Sequence, residues 1–121
     1  MKQLTKAEEE VMQILWQLEK AFVKDIVEHF PEPKPAYNSV STITRILEKK
    51  GVVGFEAFGK SHRYFPLIDK EEYSRTFLNR FVENYFSGSY SQLVSFFTKQ
   101  HNLSLSELEI LLKELKEHKD D

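Results

Sequence analysis

Residues 38–57 read Asn38-Ser39-Val40-Ser41-Thr42-Ile43-Thr44-Arg45-Ile46-Leu47-Glu48-Lys49-Lys50-Gly51-Val52-Val53-Gly54-Phe55-Glu56-Ala57, and the hydrophobic period changes at Gly51. Before it the spacing is helical. Val40, Ile43 and Leu47 form an apolar stripe flanked by Ile46, with Asn38 as the N-cap and Gly51 in the usual C′ place. After it the period is two. Val52–Ala57 and His62–Leu67 are β-prone runs separated by Phe58-Gly59-Lys60-Ser61, which predicts a hairpin with Gly59 supplying the turn. Pro66 fits only an edge position or a strand end.

Working outward, Val23, Ile26, Val27 and Phe30 share one face of a short helix that Pro31 stops. Helix starts are legible as a hydroxyl or carboxylate followed three residues later by Glu or Gln. This pattern occurs at Thr5/Glu8, Asp69/Glu72, Ser89/Gln92 and Ser104/Glu107. Each precedes an apolar run of helical period, predicting helices near 5–19, 69–86, 90–100 and 105–118. The order is three helices and a hairpin within residues 1–68, then three helices in residues 69–121. The expected class is mainly α with a small β-hairpin wing: a winged helix-turn-helix, then a helical dimerisation domain.

In that layout the third helix enters the DNA major groove and the wing lies on the backbone. Opposite the apolar stripe stand Asn38, Ser41, Thr42, Arg45 and Lys49, with Ser39 beside them. Their side chains can reach base edges and phosphates. Glu48 would repel phosphates, so the N-terminal half of the helix is expected to do the reading. The wing adds Lys60, Ser61, His62 and Arg63 for phosphate contact. A polar helix face is also what any solvated helix shows, and winged helices serve as protein-interaction modules too. The alternative is such a module without specific DNA binding.

Composition sharpens the choice. The 121 residues hold 17 Lys and Arg against 19 Asp and Glu, so the chain as a whole is no polycation. Residues 33–68 nevertheless carry 6 basic and 2 acidic side chains, whereas residues 69–121 carry 7 and 10. A basic segment on an acidic protein suits a localised polyanion site. The absence of cysteine excludes disulfides, thiolate nucleophiles and Cys-ligated zinc. His29, His62, His101 and His118 show no metal-ligand spacing, and the four glycines form no phosphate loop. No catalytic residue, metal or cofactor is expected. The N-terminus has no apolar signal region and no stretch reaches a membrane span, so a cytoplasmic protein without direct membrane insertion is expected.

Residues 69–121 hold five of the ten phenylalanines, at 77, 81, 86, 96 and 97, with Tyr73, Tyr85 and Tyr90. Leu105, Leu108, Leu112 and Leu115 follow an a/d spacing for about two heptads. Two interleaved copies could bury this surface through Phe77, Phe81, Tyr85, Leu93, Phe97 and these leucines. Folding back onto the winged helix as one core is the other way to cover it.

A family resemblance rests on particular blocks. Leu4-Thr5-Lys6-Ala7-Glu8-Glu9-Glu10-Val11-Met12-Gln13-Ile14-Leu15-Trp16 resembles the opening of the penicillinase-repressor group, the BlaI/MecI/CopY transcriptional regulators. So do Ser39-Val40-Ser41-Thr42 with Leu47 and Lys50-Gly51-Val52, and His62-Arg63-Tyr64-Phe65-Pro66-Leu67 leading into Glu71-Glu72-Tyr73. The resemblance implies a homodimeric repressor on an inverted-repeat, double-stranded DNA operator. Glu9 stands where the family often has Trp, and the usual mid-helix Arg falls on Ile46, with Arg45 preceding it. Without cysteine the chain departs from the copper-responsive branch and is more similar to the β-lactam-responsive one. There a membrane-bound sensor protease cuts the repressor in its C-terminal domain. The family's Asn-Phe scissile bond falls on Phe96-Phe97, with Phe96 replacing asparagine. The resemblance therefore leaves two routes of release open: cleavage within residues 90–100, or a ligand in the C-terminal helices.

Overall fold

The computed structural model describes residues 3–119, with all of their side chains except those of 115, 116, 118 and 119. Leu115 and His118 thus lie outside the described side chains. The chain divides into two compact units between Ser74 and Arg75. The first contains α1 (Lys6–Leu18), β1 (Ala21–Phe22), α2 (Val23–His29), α3 (Tyr37–Lys49), β2 (Val53–Phe58) and β3 (Ser61–Pro66). α4 (Lys70–Phe86) begins in this unit, and α5 (Tyr90–Gln100) and α6 (Leu105–Lys119) follow in the second.

The four cap signals all form. Thr5 Oγ1 accepts the Glu8 N–H at 3.2 Å while Glu8 Oε1 accepts the Thr5 N–H at 2.9 Å, a complete capping box. Asp69, Ser89 and Ser104 accept the N–H groups of Glu72, Gln92 and Glu107 at 2.7, 3.2 and 3.2 Å. α2 starts differently. Its N-cap is Phe22, so the only side-chain help comes from Asp25, which accepts the Phe22 N–H at 3.0 Å. At its other end Lys34, from the proline-rich loop, donates to the Glu28 and Phe30 carbonyls at 2.6 and 2.9 Å. Those are carbonyls the helix cannot satisfy itself.

α3 begins two residues earlier than Asn38 would allow as a cap. Ala36 is extended, and its carbonyl accepts the N–H groups of Ser39 and Val40 at 3.1 and 3.2 Å. Tyr37 is therefore the first helical residue, and the Asn38 side chain is not used as a cap. The buried stripe also shifts. Val40, Thr44 and Leu47 are buried, Ile43 is half-buried and Ile46 is exposed. Thr44 tolerates burial because its hydroxyl donates to the Ser41 carbonyl at 2.8 Å. The helix ends in a Schellman motif: Gly51, at φ +79°, donates to Glu48 O and Val52 to Leu47 O.

The hairpin is as expected, but it belongs to a three-stranded antiparallel sheet of order β1-β3-β2. The two-residue β1 pairs Ala21 with Tyr64 and Phe22 with Arg63, which makes β3 the central strand. Pro66 is tolerated because it lies at the end of β3, opposite Val53 and past the reach of β1. Gly59, at φ +63°, opens the two-residue turn. Gly54 faces Phe65 across the β2–β3 ladder, and a Cβ there would lie 2.9 Å from two carbons of the Phe65 ring.

The core lies between the three helices and the sheet. Val11, Met12, Leu15, Ile26, Val40, Leu47 and Val53 are fully buried, and each such side chain contributes roughly 1.5–3 kcal/mol. Trp16 closes the unit: its indole N–H donates to the Ile68 carbonyl at 2.9 Å, and its ring lies 5.7 Å from that of Tyr73. The second unit is built otherwise. Val82 is its only fully buried apolar side chain among the described residues. Rings of Phe81, Phe86 and Phe96 touch in succession, and Asn102, at φ +49°, lets Leu103 close α5 on Thr98 O.

One ion pair joins the beginning of α1 to the end of α3. Glu8 Oε1 accepts the Lys50 ammonium at 2.7 Å, with the Glu8 side chain only 5% exposed. Burial pushes the Glu8 carboxyl up. Hydrogen bonds from Lys50 and from the Thr5 backbone and hydroxyl, with the Lys50 charge, outweigh it and hold the carboxyl below its ordinary 4.5. A carboxylate depressed in the folded state stabilises above its unfolded value and loses that contribution as pH falls through the folded one. Replacing Glu8 by Gln should cost about 1–3 kcal/mol at neutral pH. Thermal melts should show the gap between wild type and variant shrinking as pH drops below 4.5. A gap that stays constant down to acid pH would remove the ion pair from this role.

Candidate nucleic-acid interface

An open cleft of about 580 Å³ runs between the start of α2, the first turns of α3 and the wing. α3 contributes Asn38, Ser41 and Arg45, at the three- and four-residue spacing that puts them on one face. The wing contributes Lys60, Ser61 and His62. Six residues that the sequence pointed to from two separate segments therefore line one concave surface. Ser39, Thr42 and Lys49 are exposed on α3 outside the cleft lining. Release of Asn38 from capping leaves its amide facing solvent. Arg45 Nη2 donates to Ser41 Oγ at 3.4 Å, and Thr42 Oγ1 donates to the Asn38 carbonyl at 2.9 Å.

Arg63 is not brought into the cleft. It donates to Glu56 Oε1 at 3.2 Å, and its guanidinium sits 4.9 Å from the Phe58 ring centroid. Lys20 reaches the same oxygen at 3.0 Å. The hydrogen bond from Lys20, then that from Arg63, holds the Glu56 carboxyl below the usual carboxylate range. On the wing, the His62 imidazole stacks on Phe55 with centroids 4.1 Å apart and planes 13° apart.

The local excess of positive charge therefore splits into two groups. Lys34 caps α2, Lys50 pairs with Glu8 and Arg63 pairs with Glu56. Arg45, Lys49 and Lys60 remain exposed on α3 and the turn of the wing. The cleft also recruits residues that the sequence reading passed over: Lys24, Tyr37, Phe22 and Phe58. Lys24 was open to inference, since the apolar face of α2 leaves it opposite. The two phenylalanines were not, because only the short β1 brings Phe22 beside the wing, its ring 5.7 Å from Phe58.

In the second unit Phe77, Phe81 and Tyr85 of α4, Phe97 of α5, and Leu105 and Leu112 of α6 are exposed, while Leu93 and Leu108 are half-buried. Phe96 is exposed in the middle of α5. Among the described residues no cluster of three or more potential ligands could hold a metal ion. None of their helices is long and apolar enough to cross a membrane.

Three helices, a wing and a cation-bearing cleft between them define a winged helix-turn-helix protein. The sequence pattern of the penicillinase repressor family matches residues 4–117, and the chain belongs to that family. It is similar to the penicillinase repressor of Bacillus licheniformis, 25% identical over 119 residues that span 98% of this chain and 93% of the relative. It is similar also to the methicillin resistance regulatory protein MecI of Staphylococcus aureus strain N315, 26% identical over 110 residues, 90% and 89% of the two chains. Among solved structures, the CopR repressor is 30% identical, covering 56% of this chain and 100% of its own, at a TM-score of 0.46. The family is one of repressors, not enzymes.

Proposed function

We propose that this chain is a sequence-specific, DNA-binding transcriptional repressor that acts in the cytoplasm as a homodimer on an inverted-repeat operator. The observation that carries the reading is the cleft, where Asn38, Ser41 and Arg45 of α3 meet Lys60, Ser61 and His62 of the wing. Amide, hydroxyl and guanidinium groups on a helix read base edges, and cations on a flanking turn hold phosphate. That the relatives are named as repressors and regulators of resistance supports it.

The dimer is supported by the second unit, where among the described residues Val82 alone is completely buried and the rings of Phe77, Phe81 and Tyr85 are exposed. Three helices with so little enclosed surface are marginal alone, and a second copy offers a self-complementary cover. Release is assigned to cleavage within residues 90–100 by a membrane-bound sensor protease. α5 has no buried residue within the single chain, but Leu93 and Phe97 are assigned to the dimer, so cleavage around Phe96 and Phe97 requires local opening of that interface first.

Binding of duplex from the chain's own upstream region, measured by anisotropy at two salt concentrations, should be tight and salt-sensitive. Ser41→Ala and Thr42→Ala should weaken that duplex about five- to a hundredfold more than random DNA, and Lys60→Ala should weaken both alike. Binding indifferent to sequence and to salt would instead leave a protein-interaction module.

Sedimentation of the intact chain should report a dimer at micromolar concentration, and deletion of residues 69–121 should abolish it. Operator affinity should then collapse, since the second half-site is no longer linked. A monomeric intact chain would refute the assembly.

Immunoblots of the native host after a cell-wall antibiotic should show a fragment of roughly four-fifths the chain length. An intact repressor beside derepressed target genes would rule out proteolysis and turn attention to a ligand in the C-terminal helices.

A further inference from the structure

One large aliphatic side chain on α3 escapes the rule that such residues face the core. The helix buries Val40, Thr44 and Leu47, yet Ile46 is 40% exposed. With 3.6 residues per turn, Ile46 lies about 40° from Thr42, about 60° from Lys49 and about 100° from the buried Leu47. It stands on the exposed flank of α3, outside the cleft lining, between the half-buried Ile43, about 60° away, and Thr42 of the face assigned above to DNA. Thr42, one turn before it, donates its hydroxyl proton to the Asn38 carbonyl at 2.9 Å. What Thr42 adds to the surface beside Ile46 is therefore chiefly a methyl group. The adjacent row is polar: Ser41 and Arg45 contact each other at 3.4 Å. The outer face of α3 thus carries two parallel i,i+4 rows, one of hydrogen-bonding groups and one of methyl and methylene groups.

The floor of the major groove offers each kind of row a different partner. Donor and acceptor edges of the bases suit Ser41 and Arg45, whereas the one apolar feature there is the C5-methyl of thymine. An aliphatic chain set against a base's polar edge would leave that edge unpaired, at a cost in affinity. Resting on the DNA-binding reading above, we propose that Ile46, with the Thr42 methyl, reads the 5-methyl group of a thymine in each half-site. Ile46 is in this sense a specificity-determining residue, selecting thymine where a neighbouring polar row selects by hydrogen bonds.

The test uses the full chain. Preferred sites are selected from a pool of random duplexes, and each thymine of the recovered site is replaced singly by deoxyuridine, which removes only the methyl. Wild type should lose about three- to tenfold in affinity at one thymine per half-site. Ile46→Ala should be indifferent to that replacement, and Ile46→Val should keep most of the sensitivity. Matching thermal melts for the three proteins verify that the fold is unchanged. The proposal is overturned if wild type binds its selected site yet tolerates every deoxyuridine. It is equally overturned if Ile46→Ala suffers the wild-type penalty. A wild-type chain that recovers no preferred sequence gives a different result, the failure of the DNA-binding reading itself.

Discussion

The carboxylate of Glu8 is the point on which the first unit turns. One oxygen accepts both the Thr5 N–H that opens α1 and the Lys50 ammonium that closes α3. Lys50 is also the C-cap from which Gly51 swings the chain into β2. A single side chain near the N-terminus therefore sets where α3 ends and where the wing departs. The bond is costly to form, because Glu8 is buried and its second oxygen has no partner among the described residues. It persists because two donors, the Thr5 N–H and the Lys50 ammonium, converge on the first oxygen. Trp16 does the corresponding work at the other end of α1, holding the exit of the wing through the Ile68 carbonyl.

Division of labour among the cations follows from that frame. A count of charges along residues 33–68 treats six basic side chains as equivalent. Three of them are consumed by the fold: one on carbonyls at a helix end, two on carboxylates. The cations left on the exposed surface belong to α3 and the wing turn, so the positive field is narrower than the composition suggests. Lys24, from outside the basic segment, adds to it. A narrow field beside hydrogen-bonding side chains favours register over simple attraction.

Much of this was legible in the sequence because it depends on local chemistry. The Thr5/Glu8, Asp69/Glu72, Ser89/Gln92 and Ser104/Glu107 pairs act within one helical turn, and Gly51 and Gly59 mark backbone turns at which φ is positive. What escaped reading depends on tertiary neighbours. β1 is two residues long and exists only because Tyr64 and Arg63 present a free edge to Ala21 and Phe22. Ala36 carries no cap side chain, yet its carbonyl starts α3, so Asn38 looked like a cap by type and is surface by position. Thr44 joined Val40, Leu47 and the half-buried Ile43 on the core face, since a hydroxyl satisfied within its own helix packs as a small apolar group. Nor did the sequence show that Arg63 pairs with Glu56, since only the ladder sets these two side chains, seven residues apart, opposite each other.

The contact between Gly54 and Phe65 has a bearing on how this wing can change over time. The two positions face each other across β2 and β3, and the phenyl ring occupies the volume that a Cβ at position 54 would need. Neither residue is constrained by its own strand alone. An alanine at 54 is obstructed as long as the ring remains at 65, and a smaller residue at 65 leaves a hollow as long as 54 is glycine. Each single step requires the neighbouring position to readjust, while the exchange of glycine and phenylalanine for two mid-sized residues conserves the volume. Drift at these sites is therefore expected to be paired, with each position setting which substitutions the other can accept.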